Sequence, residues 1–400
     1  MKPDIGFGSA CVKSAANPSA VPTHTEAIYP TSTFAYESPE ELMEIFAGTR
    51  DGFIYSRWHN PTFEAAEQKL AALETHGLDA EAQAMLFSSG MGAISALFLA
   101  TLKPGDKVIT QGNLYGGTNE LLYKILTPLG IEPVIANLKE IELVDQLCAG
   151  IKSVKMIYIE TPSNPTIDCY DIEGLCAVAK KHNIKSAVDN TFATPYLQQP
   201  FRWGADYIVH STTKFLNGHG NAIGGALVAR DKEWMNGRLH EVMKLIGSNA
   251  NPFDAWLLSQ GIKTLELRME RHCDNAMALA NMLSNHQGVA RVNYNGLQQH
   301  SGHAVTQKQM RRAGAMLSFE TKNGLEGGKR FIKNLKLATL AVSLGTLDTI
   351  VQHPASMSHM KVDPQQRLKH GITDSLIRVS VGIETIDDLL NDFDQALRNV

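Results

Sequence analysis

The stretch that decides the fold is KSAVDNTFATPYLQQPFRWGADYIVHSTTKFLNGHGNAIGG, residues 185–225. Two short apolar runs lie in and beside it, at residues 184–188 and 205–209. Asp189 follows the first run, and the polar segment 210–214 follows the second. Short β-branched runs that end in this way are typical of buried parallel strands, and ligands of open α/β sheets bind beyond the carboxyl ends of the strands. We therefore predict an α/β fold with a site formed by these polar ends.

A carboxylate after one strand and a lysine after the next are the two groups that pyridoxal 5'-phosphate (PLP) requires. Asp189 would keep the pyridine nitrogen protonated, and the amine of Lys214 would hold the aldehyde covalently. The hydroxyls of Ser211 and Thr213 would lie on one face of an extended segment, where both can donate to the phosphate. Taken alone, the pattern would also suit a surface lysine behind an edge strand.

The segments DNTFATPY (189–196) and HSTTKFLNGHG (210–220) resemble the lysine region of the trans-sulfuration family of PLP enzymes. The resemblance extends from about residue 20 to the C-terminus. It implies the aspartate-aminotransferase-like architecture known as fold type I, in which a large domain has a mostly parallel sheet with helices on both faces and a smaller C-terminal domain is α+β. We expect an N-terminal arm at residues 1–62, a PLP-binding domain at 63–255 and the C-terminal domain at 256–400.

Composition excludes several other classes of protein. A chain of 400 residues is longer than one hydrophobic core usually accommodates, and 44% of the residues are hydrophobic, as in globular proteins. The net charge of −4 gives no excess of positive charge that would indicate nucleic-acid binding. We find no signal peptide and no run of about 18 apolar residues, so we expect no membrane association and a cytoplasmic location. The five cysteines form no C-x-x-C pair and the histidines form no zinc motif, so we expect no metal.

The N-terminal arm carries a motif of its own. It is rich in Pro, Ser, Thr and Gly and cannot build a core, so it should lie on other surfaces. The segment FIYSRWHNPT (53–62) matches the family's Y-S-R-x-x-N-P-T, and the resemblance implies that Tyr55 and Arg57 bind the phosphate of a neighbouring subunit's cofactor. A guanidinium suits that role because it donates in a bidentate fork. We therefore expect a homotetramer, a dimer of dimers, with shared active sites. Trp58 and His59 depart from the family pattern.

The segment AMLFSSGMGAISAL (84–97) indicates a strand that runs into a helix through a glycine-punctuated turn. Glycine lets the backbone approach an anion closely, and the free amides at a helix N-terminus point at that anion. We therefore assign Ser89, Gly90 and Met91 to the phosphate site.

Two more residues follow predicted strands. Tyr115 lies on a loop with two glycines, where its ring can stack on the cofactor. The resemblance implies that its phenol acts as an acid toward the departing γ-group; a structural tyrosine is the alternative. Asn164 follows the strand that ends at Glu160, and it matches the family's asparagine that binds the phenolate oxygen of the cofactor, although Asn before Pro is also a common turn residue.

The substrate site is predicted from the C-terminal third of the chain. AVSLGTLDTIVQHPASMSH (341–359) resembles the family's A-x-S-L-G…H-P-A-x-x-x-H, which assigns Val342 and Ser343 to substrate binding. Arg378 matches the family's carboxylate-binding arginine. An arginine on an apolar strand is costly to bury unless it meets an anion, and the α-carboxylate of a small amino-acid substrate supplies one.

The resemblance implies chemistry at the γ-carbon of a sulfur amino acid or homoserine ester. Cystathionine γ-lyases and γ-synthases usually carry Glu where Val342 stands, so Val342 favours a substrate with an apolar tail. The resemblance then implies a methionine γ-lyase-like C–S lyase, which yields 2-oxobutanoate, ammonia and a thiol. The chain differs from the typical methionine γ-lyase pattern at Gly117, Asn221 and the segment KLIGSNA (244–250). These differences favour γ-replacement by an O-acetyl- or O-succinylhomoserine sulfhydrylase. A cystathionine enzyme is the third alternative.

Two other classes remain as alternatives. An aspartate-type aminotransferase would share the fold and the Asp/Lys pair, but the arm motif at residues 55–62 argues against it. A catalytically silent scaffold that only binds the cofactor would not need Lys214, Asp189, Tyr115 and Arg378 all intact.

Overall fold

The computed structural model describes residues 5–14, 23–357, 360, 364–369, 371–398 and 400. Part of the N-terminal arm and His359, the last residue of the H-P-A-x-x-x-H motif, lie outside the described residues. Within the described part of the chain, twelve strands form two sheets. The strands are β1 Gln83–Phe87, β2 Lys107–Thr110, β3 Glu132–Ile135, β4 Val154–Glu160, β5 Lys185–Asp189, β6 Tyr207–His210, β7 Gly225–Ala229, β8 Val289–Asn293, β9 Met316–Thr321, β10 Thr339–Leu340, β11 Ile350–Gln352 and β12 Leu376–Ser380.

Helices connect the strands and cover them. Short π-helical segments span Leu121–Leu126 and Met235–Leu239, and 3₁₀ turns span Thr127–Leu129, Pro200–Trp203 and Pro354–Ser356. The α-helices are α1 Phe7–Lys13, α2 Pro39–Phe46, α3 Pro61–Glu74, α4 Gly90–Thr101, α5 Gly116–Glu120, α6 Ile141–Gly150, α7 Ile172–Lys181, α8 Thr194–Leu197, α9 Lys232–Trp234, α10 His240–Ile246, α11 Pro252–Ile262, α12 Leu265–Asn285, α13 His303–Gln309, α14 Gly324–Asn334, α15 Pro364–Lys369 and α16 Ile386–Leu397.

The larger sheet has the order β1-β7-β6-β5-β4-β2-β3. Strands β3, β2, β4, β5 and β6 run parallel to one another, whereas β7 is antiparallel to both β6 and β1. Strands β5 and β6 are direct neighbours, and Asp189 pairs with Val209. Both apolar runs are therefore the buried parallel strands that the sequence predicts, and their polar ends emerge at the same edge of the sheet.

Both faces of this sheet are covered by helices, because successive residues of the central strands are apolar and their side chains point to opposite faces. On β6, Tyr207 and Val209 pack into one core cluster with the apolar residues of α4, and Ile208 packs on the opposite face with those of α3 and α11. The predicted mostly parallel sheet with helices on both faces is thus confirmed.

The pattern after residue 250, read as one long helix from Asn251 to about Leu283, is two helices in the structure. Helix α11 ends at Ile262, directly after Gly261. That glycine packs so closely on the loop after β6 that a Cβ there would lie 2.2 Å from the carbonyl oxygen of Asn217. The carbonyl of Gly261 also accepts from Arg268 of α12 at 2.7 Å. The domain division expected at residue 255 falls within α11.

A second, smaller sheet has the order β10-β11-β12-β9-β8, and its central pairs are antiparallel. It packs against α12, α14 and α16 through a core that includes Phe319, Phe331 and Phe393. Strand β12 places Arg378 on this sheet, opposite Ser318 of β9 and Gln352 of β11.

Candidate active site

A cavity of about 1910 Å³ lies beyond the carboxyl ends of β4, β5 and β6 and is also lined by residues of the smaller sheet. This is the position that ligands occupy in open α/β sheets. Every predicted site residue except the two on the arm lines it. These lining residues are Ser89, Gly90, Met91, Tyr115, Asn164, Asp189, Ser211, Thr213, Lys214, Val342, Ser343 and Arg378.

Lys214 follows β6 in a tight turn, where its backbone amide donates to Ser211 and its carbonyl accepts from Gly218. The side-chain amine donates to the hydroxyl of Ser343 at 2.7 Å. Burial, and secondarily the positive charge of Arg378, lowers the pKa of this amine to about 8. A sizeable neutral fraction therefore exists near neutral pH, and a neutral amine can act as a nucleophile or base.

Asp189 ends β5 and faces the cavity. One carboxyl oxygen accepts from the Tyr158 phenol at 3.2 Å, and the other accepts from the backbone amide of Thr191 at 3.1 Å. Burial raises the pKa of this carboxyl. Among the ion pairs of the described residues, Asp189 has no Lys or Arg partner, so the site offers a carboxylate to a cation such as a protonated ring nitrogen.

The N-terminus of α4 also lines the cavity. The hydroxyl of Ser89 caps this helix. Gly90 lies so near the segment after β6 that a Cβ there would be 2.8 Å from the Cβ of Ser211. The hydroxyl of Thr213 is hydrogen-bonded to the backbone of Gly224. Helix amides and hydroxyls thus border one pocket, which is the chemistry that a phosphate needs.

Tyr115 and Asn164 are tied to the same carboxylate. The backbone amide of Tyr115 donates to one oxygen of Glu160 at 2.8 Å, and the backbone amide of Asn164 donates to the other at 3.1 Å. The side-chain oxygen of Asn164 accepts from Arg378 at 3.2 Å, which leaves the amide nitrogen as the group that can donate to a cofactor.

Arg378 is a buried cation, 4% exposed, beside the cavity. Its two terminal nitrogens donate to Asn164 and to the carbonyl of Ser343, at 3.2 and 2.5 Å, while its Nε has no partner. Burial lowers its pKa to about 10. No carboxylate of the described residues pairs with it, so this guanidinium has unused capacity to bind the carboxylate of a substrate.

Two residues of this site, Glu160 and Tyr158, are not among those predicted from the sequence. Glu160 was recognised only as the end of a strand, although an acid after a buried strand is the same signal that identified Asp189. Tyr158 lies two residues earlier on the same face of β4, which places its phenol against Asp189. Alternation along β4 could have revealed it.

Tyr55 and Arg57 lie outside the cavity formed by their own chain. Arg57 donates to the carbonyl of Lys244 at 2.6 Å, and its guanidinium lies 5.4 Å from the centre of the Tyr55 ring. Their contact with the cofactor of a neighbouring subunit remains a prediction.

The described residues contain no group of three or more His, Cys, Asp or Glu side chains arranged to hold a metal ion. None of the helices in the described part is long and apolar enough to cross a membrane. The cysteines, Cys11, Cys148, Cys169, Cys176 and Cys273, are all buried and free.

Comparison with known proteins places this site in context. The model of the family described as Cys/Met metabolism PLP-dependent enzyme matches residues 9–398. The chain is 42% identical to L-methionine gamma-lyase of Fusobacterium nucleatum subsp. polymorphum over 396 residues, covering 99% of this chain and 98% of that protein. It is 40% identical to cystathionine beta-lyase of Coxiella burnetii over 373 residues, 92% of each chain. The crystal structure of cystathionine gamma synthase from Xanthomonas oryzae pv. oryzae, in complex with aminoacrylate and cysteine, superposes with a TM-score of 0.91 at 35% identity and covers 99% of this chain and 98% of that one.

Proposed function

Because the chain belongs to the Cys/Met metabolism family of PLP-dependent enzymes, we propose that it catalyses γ-elimination on a sulfur amino acid. The substrate we favour is methionine, which with one water gives 2-oxobutanoate, ammonium and methanethiol. The 42% identity to a methionine γ-lyase supports this choice.

The observation that carries the proposal is the link Lys214–Ser343–Arg378. The amine donates to the serine hydroxyl, and the guanidinium donates to the carbonyl of the same serine. A substrate carboxylate held by Arg378 is therefore kept close to the one amine of the cavity whose pKa is lowered toward neutrality. Proximity of this kind converts proton transfer into an intramolecular step.

The cavity residues have separate roles in binding the substrate and cofactor and in transferring protons. PLP, when bound, supplies the electron-withdrawing ring that accommodates the electron pair left at the substrate carbon. Arg378 would bind and orient the α-carboxylate, and Lys214 in its neutral form would accept the α-proton. Only after passing that proton on would the same amine be free to accept a β-proton. Tyr115, at the mouth of the cavity, donates a proton to the sulfur as the Cγ–S bond breaks. Asp189 would pair with the ring nitrogen of PLP, while Ser89, Gly90, Met91, Ser211 and Thr213 would hold its phosphate.

Val342 supports an apolar leaving group. It is 64% exposed and lines the cavity, so the substrate tail meets an isopropyl group where a distal ammonium would need a carboxylate. An ammonium at this position would find no carboxylate on residue 342 to pair with.

One observation favours γ-replacement by an O-acetyl- or O-succinylhomoserine sulfhydrylase as a second candidate. A Cβ at Gly117 would lie 2.5 Å from the Tyr115 ring and 3.0 Å from the Met91 sulfur. The ring therefore occupies the space that a side chain at residue 117 would fill. The mouth of this cavity differs in shape from one that has a cysteine there, as methionine γ-lyases typically have.

We also propose that the protein is a homotetramer and that it is located in the cytoplasm. Tyr55 and Arg57 complete the phosphate site of a neighbouring subunit, which gives a homotetramer built as a dimer of dimers. Five buried, free cysteines support a reducing compartment such as the cytoplasm.

Incubation of the purified enzyme with methionine, cystathionine, homocysteine, and O-acetyl- or O-succinylhomoserine, each with and without sulfide, tests the proposal. We expect 2-oxobutanoate, ammonia and methanethiol from methionine. Homocysteine formed only from a homoserine ester and sulfide would favour the sulfhydrylase instead. If methionine yields neither ammonia nor methanethiol, the first choice is wrong.

A further inference from the structure

Glu160 has no role in the function proposed above, yet it lies at the centre of the site. It ends β4, pairs in register with Asp189 on β5, and is 5% exposed on the cavity wall. Each of its oxygens accepts one backbone amide, from Tyr115 at 2.8 Å and from Asn164 at 3.1 Å. One carboxyl group therefore joins two loops that both carry cofactor-binding side chains.

The protonation state of Glu160 decides how well its carboxyl group can accept both backbone amides, those of Tyr115 and Asn164. An ionised carboxylate accepts at both oxygens, whereas a protonated one has a hydroxyl whose own hydrogen also needs an acceptor. The ionisable groups that face Glu160 are the carboxyl of Asp189 and the phenols of Tyr158 and Tyr170, and none of them brings a positive charge. Burial, followed by the charge of Asp189, raises the pKa of Glu160 to about 8. Burial beside a second carboxyl on the adjacent strand therefore favours the protonated form of Glu160 in the protein without its cofactor.

We propose that Glu160 is a positioning residue that ionises when a cation is placed beside Asp189, and that it then fixes the loops of Tyr115 and Asn164 against the cofactor. The inference rests on the proposed function only in that Asp189 faces the protonated ring nitrogen of PLP. Neutralising the charge on Asp189 removes the repulsion between two carboxylates on adjacent strands, so the second carboxylate can carry the negative charge.

The hydrogen bonds extend this effect across the site. Asn164 accepts from Arg378, Arg378 donates to Ser343, and the hydroxyl of Ser343 accepts from Lys214. Binding of the cofactor beside Asp189 therefore also affects how firmly the side chains of Arg378 and Lys214 are held in position.

Hydrogen exchange of the wild-type protein tests the inference without any substitution. The cofactor-free protein is loaded either with PLP or with the analogue in which the ring nitrogen is replaced by carbon, and amide exchange is followed in peptides that cover residues 113–118 and 161–164. We expect PLP to slow exchange at Tyr115 and Asn164 by roughly tenfold or more relative to the analogue. Equal protection by the two compounds would overturn the proposal, since the analogue brings no charge to Asp189.

Glu160→Gln provides the second test. The carboxamide can accept only one of the two amides and presents an N–H₂ to the other, so PLP should no longer slow exchange at both residues. The matched control is Glu67→Gln. Glu67 is also a buried carboxyl that accepts one backbone amide, from Leu86 at 2.8 Å, but it lies away from the cavity. It should keep the wild-type protection.

The two tests separate the possible failures. If Glu160→Gln keeps the full protection, Glu160 does not position the loops. If that variant fails to fold, the comparison of PLP with its analogue in wild-type protein still decides. The outcome of both hydrogen-exchange tests is independent of whether the turnover assay detects γ-elimination or γ-replacement. A failure of the proposed function would therefore be recognised separately.

Discussion

The amine of Lys214 donates to the hydroxyl of Ser343 at 2.7 Å, although 129 residues separate them in the chain. Ser343 has φ of 83°, in the left-handed region that costs a residue with a side chain on the order of 1–3 kcal/mol. Gly345, two residues later, packs on the turn of Lys214, where a Cβ would lie 3.0 Å from the lysine carbonyl carbon. The smaller sheet thus fixes the environment of the lysine that the larger sheet delivers.

Replacing Arg378 should change the titration of Lys214. Burial is the main reason why the pKa of Lys214 is lowered to about 8, and the positive charge of Arg378 lowers it further. We expect Arg378→Met to raise this pKa toward its ordinary value, whereas Arg378→Lys keeps the charge and should leave it lowered. Competitive labelling of the amine across pH 7–11 in the cofactor-free protein measures it. Loss of the charged contact to the substrate should also lower kcat/KM roughly 10- to 100-fold in the Met variant. Identical titration of Lys214 in both variants would contradict this prediction.

A side chain at residue 117 should displace the Tyr115 ring. A Cβ at Gly117 would meet that ring at 2.5 Å, whereas nothing lies within 4 Å of a Cβ at Gly116. We expect Gly117→Ala to lower kcat about tenfold or more because the phenol leaves its position, and Gly116→Ala to stay within about twofold. Steady-state kinetics with methionine and a homoserine ester measure both variants. Equal loss in the two would mean that general loop stiffness, not the ring position, is responsible.

Val342→Glu should shift substrate preference toward cystathionine. The new carboxylate would stand in the cavity wall where a distal ammonium can reach it, and a charge-assisted hydrogen bond contributes about 1.5–3 kcal/mol, or roughly 10- to 100-fold. Leu340→Glu is the control, because Leu340 is also exposed, at 51%, but does not line the cavity. The quantity to compare is the ratio of kcat/KM for cystathionine to that for methionine. A ratio that rises equally in both variants would rule out direct recognition at residue 342.

Arg57→Ala should weaken cofactor retention in the assembled enzyme. In its own chain, Arg57 donates to the carbonyl of Lys244, lies beside the Tyr55 ring and is outside the cavity, so its remaining N–H donors are available to a neighbouring phosphate. Arg50→Ala is the control, since Arg50 lies on the same arm but pairs with Glu41. Dialysis followed by the PLP content per subunit should show a dissociation constant raised about tenfold or more for Arg57→Ala alone. Unchanged retention would argue against shared sites.

Local patterns predicted the parts of the fold that depend on neighbouring residues in the chain. Helix α16 spans Ile386–Leu397, where apolar residues recur at helical spacing, and α3 begins at Pro61 because Asn60 caps it with its side chain. Strands β5 and β6 were recognisable because buried parallel strands are short apolar runs with polar ends. The same logic predicted Asp189 and Lys214.

What the sequence did not reveal depends on contacts between distant segments. Helices α11 and α12 are separate at a point next to the close packing of Gly261 on Asn217, and no helical period records that contact. The role of Glu160 depends on two loops, at residues 115 and 164, that meet only in space. The acid at the end of β4 signalled the position of Glu160, but periodicity along one sequence does not record which distant segments pack together.

Glu67 should make stability fall as the pH rises. Burial raises the pKa of its carboxyl to about 8 from an ordinary 4.5, so between these values the folded chain holds a proton that the unfolded chain has lost. Folding then binds protons, and the free energy of unfolding declines by up to about 1.4 kcal/mol for each pH unit across this window. Glu67→Gln keeps an acceptor for the Leu86 amide but cannot ionise, so its thermal midpoint should exceed that of wild type by a margin that grows from pH 5.5 to 7.5. Glu142→Gln, at an exposed position on α6, should show no such growth. A constant or shrinking margin for Glu67→Gln would mean that the buried carboxyl is already ionised at the lower pH.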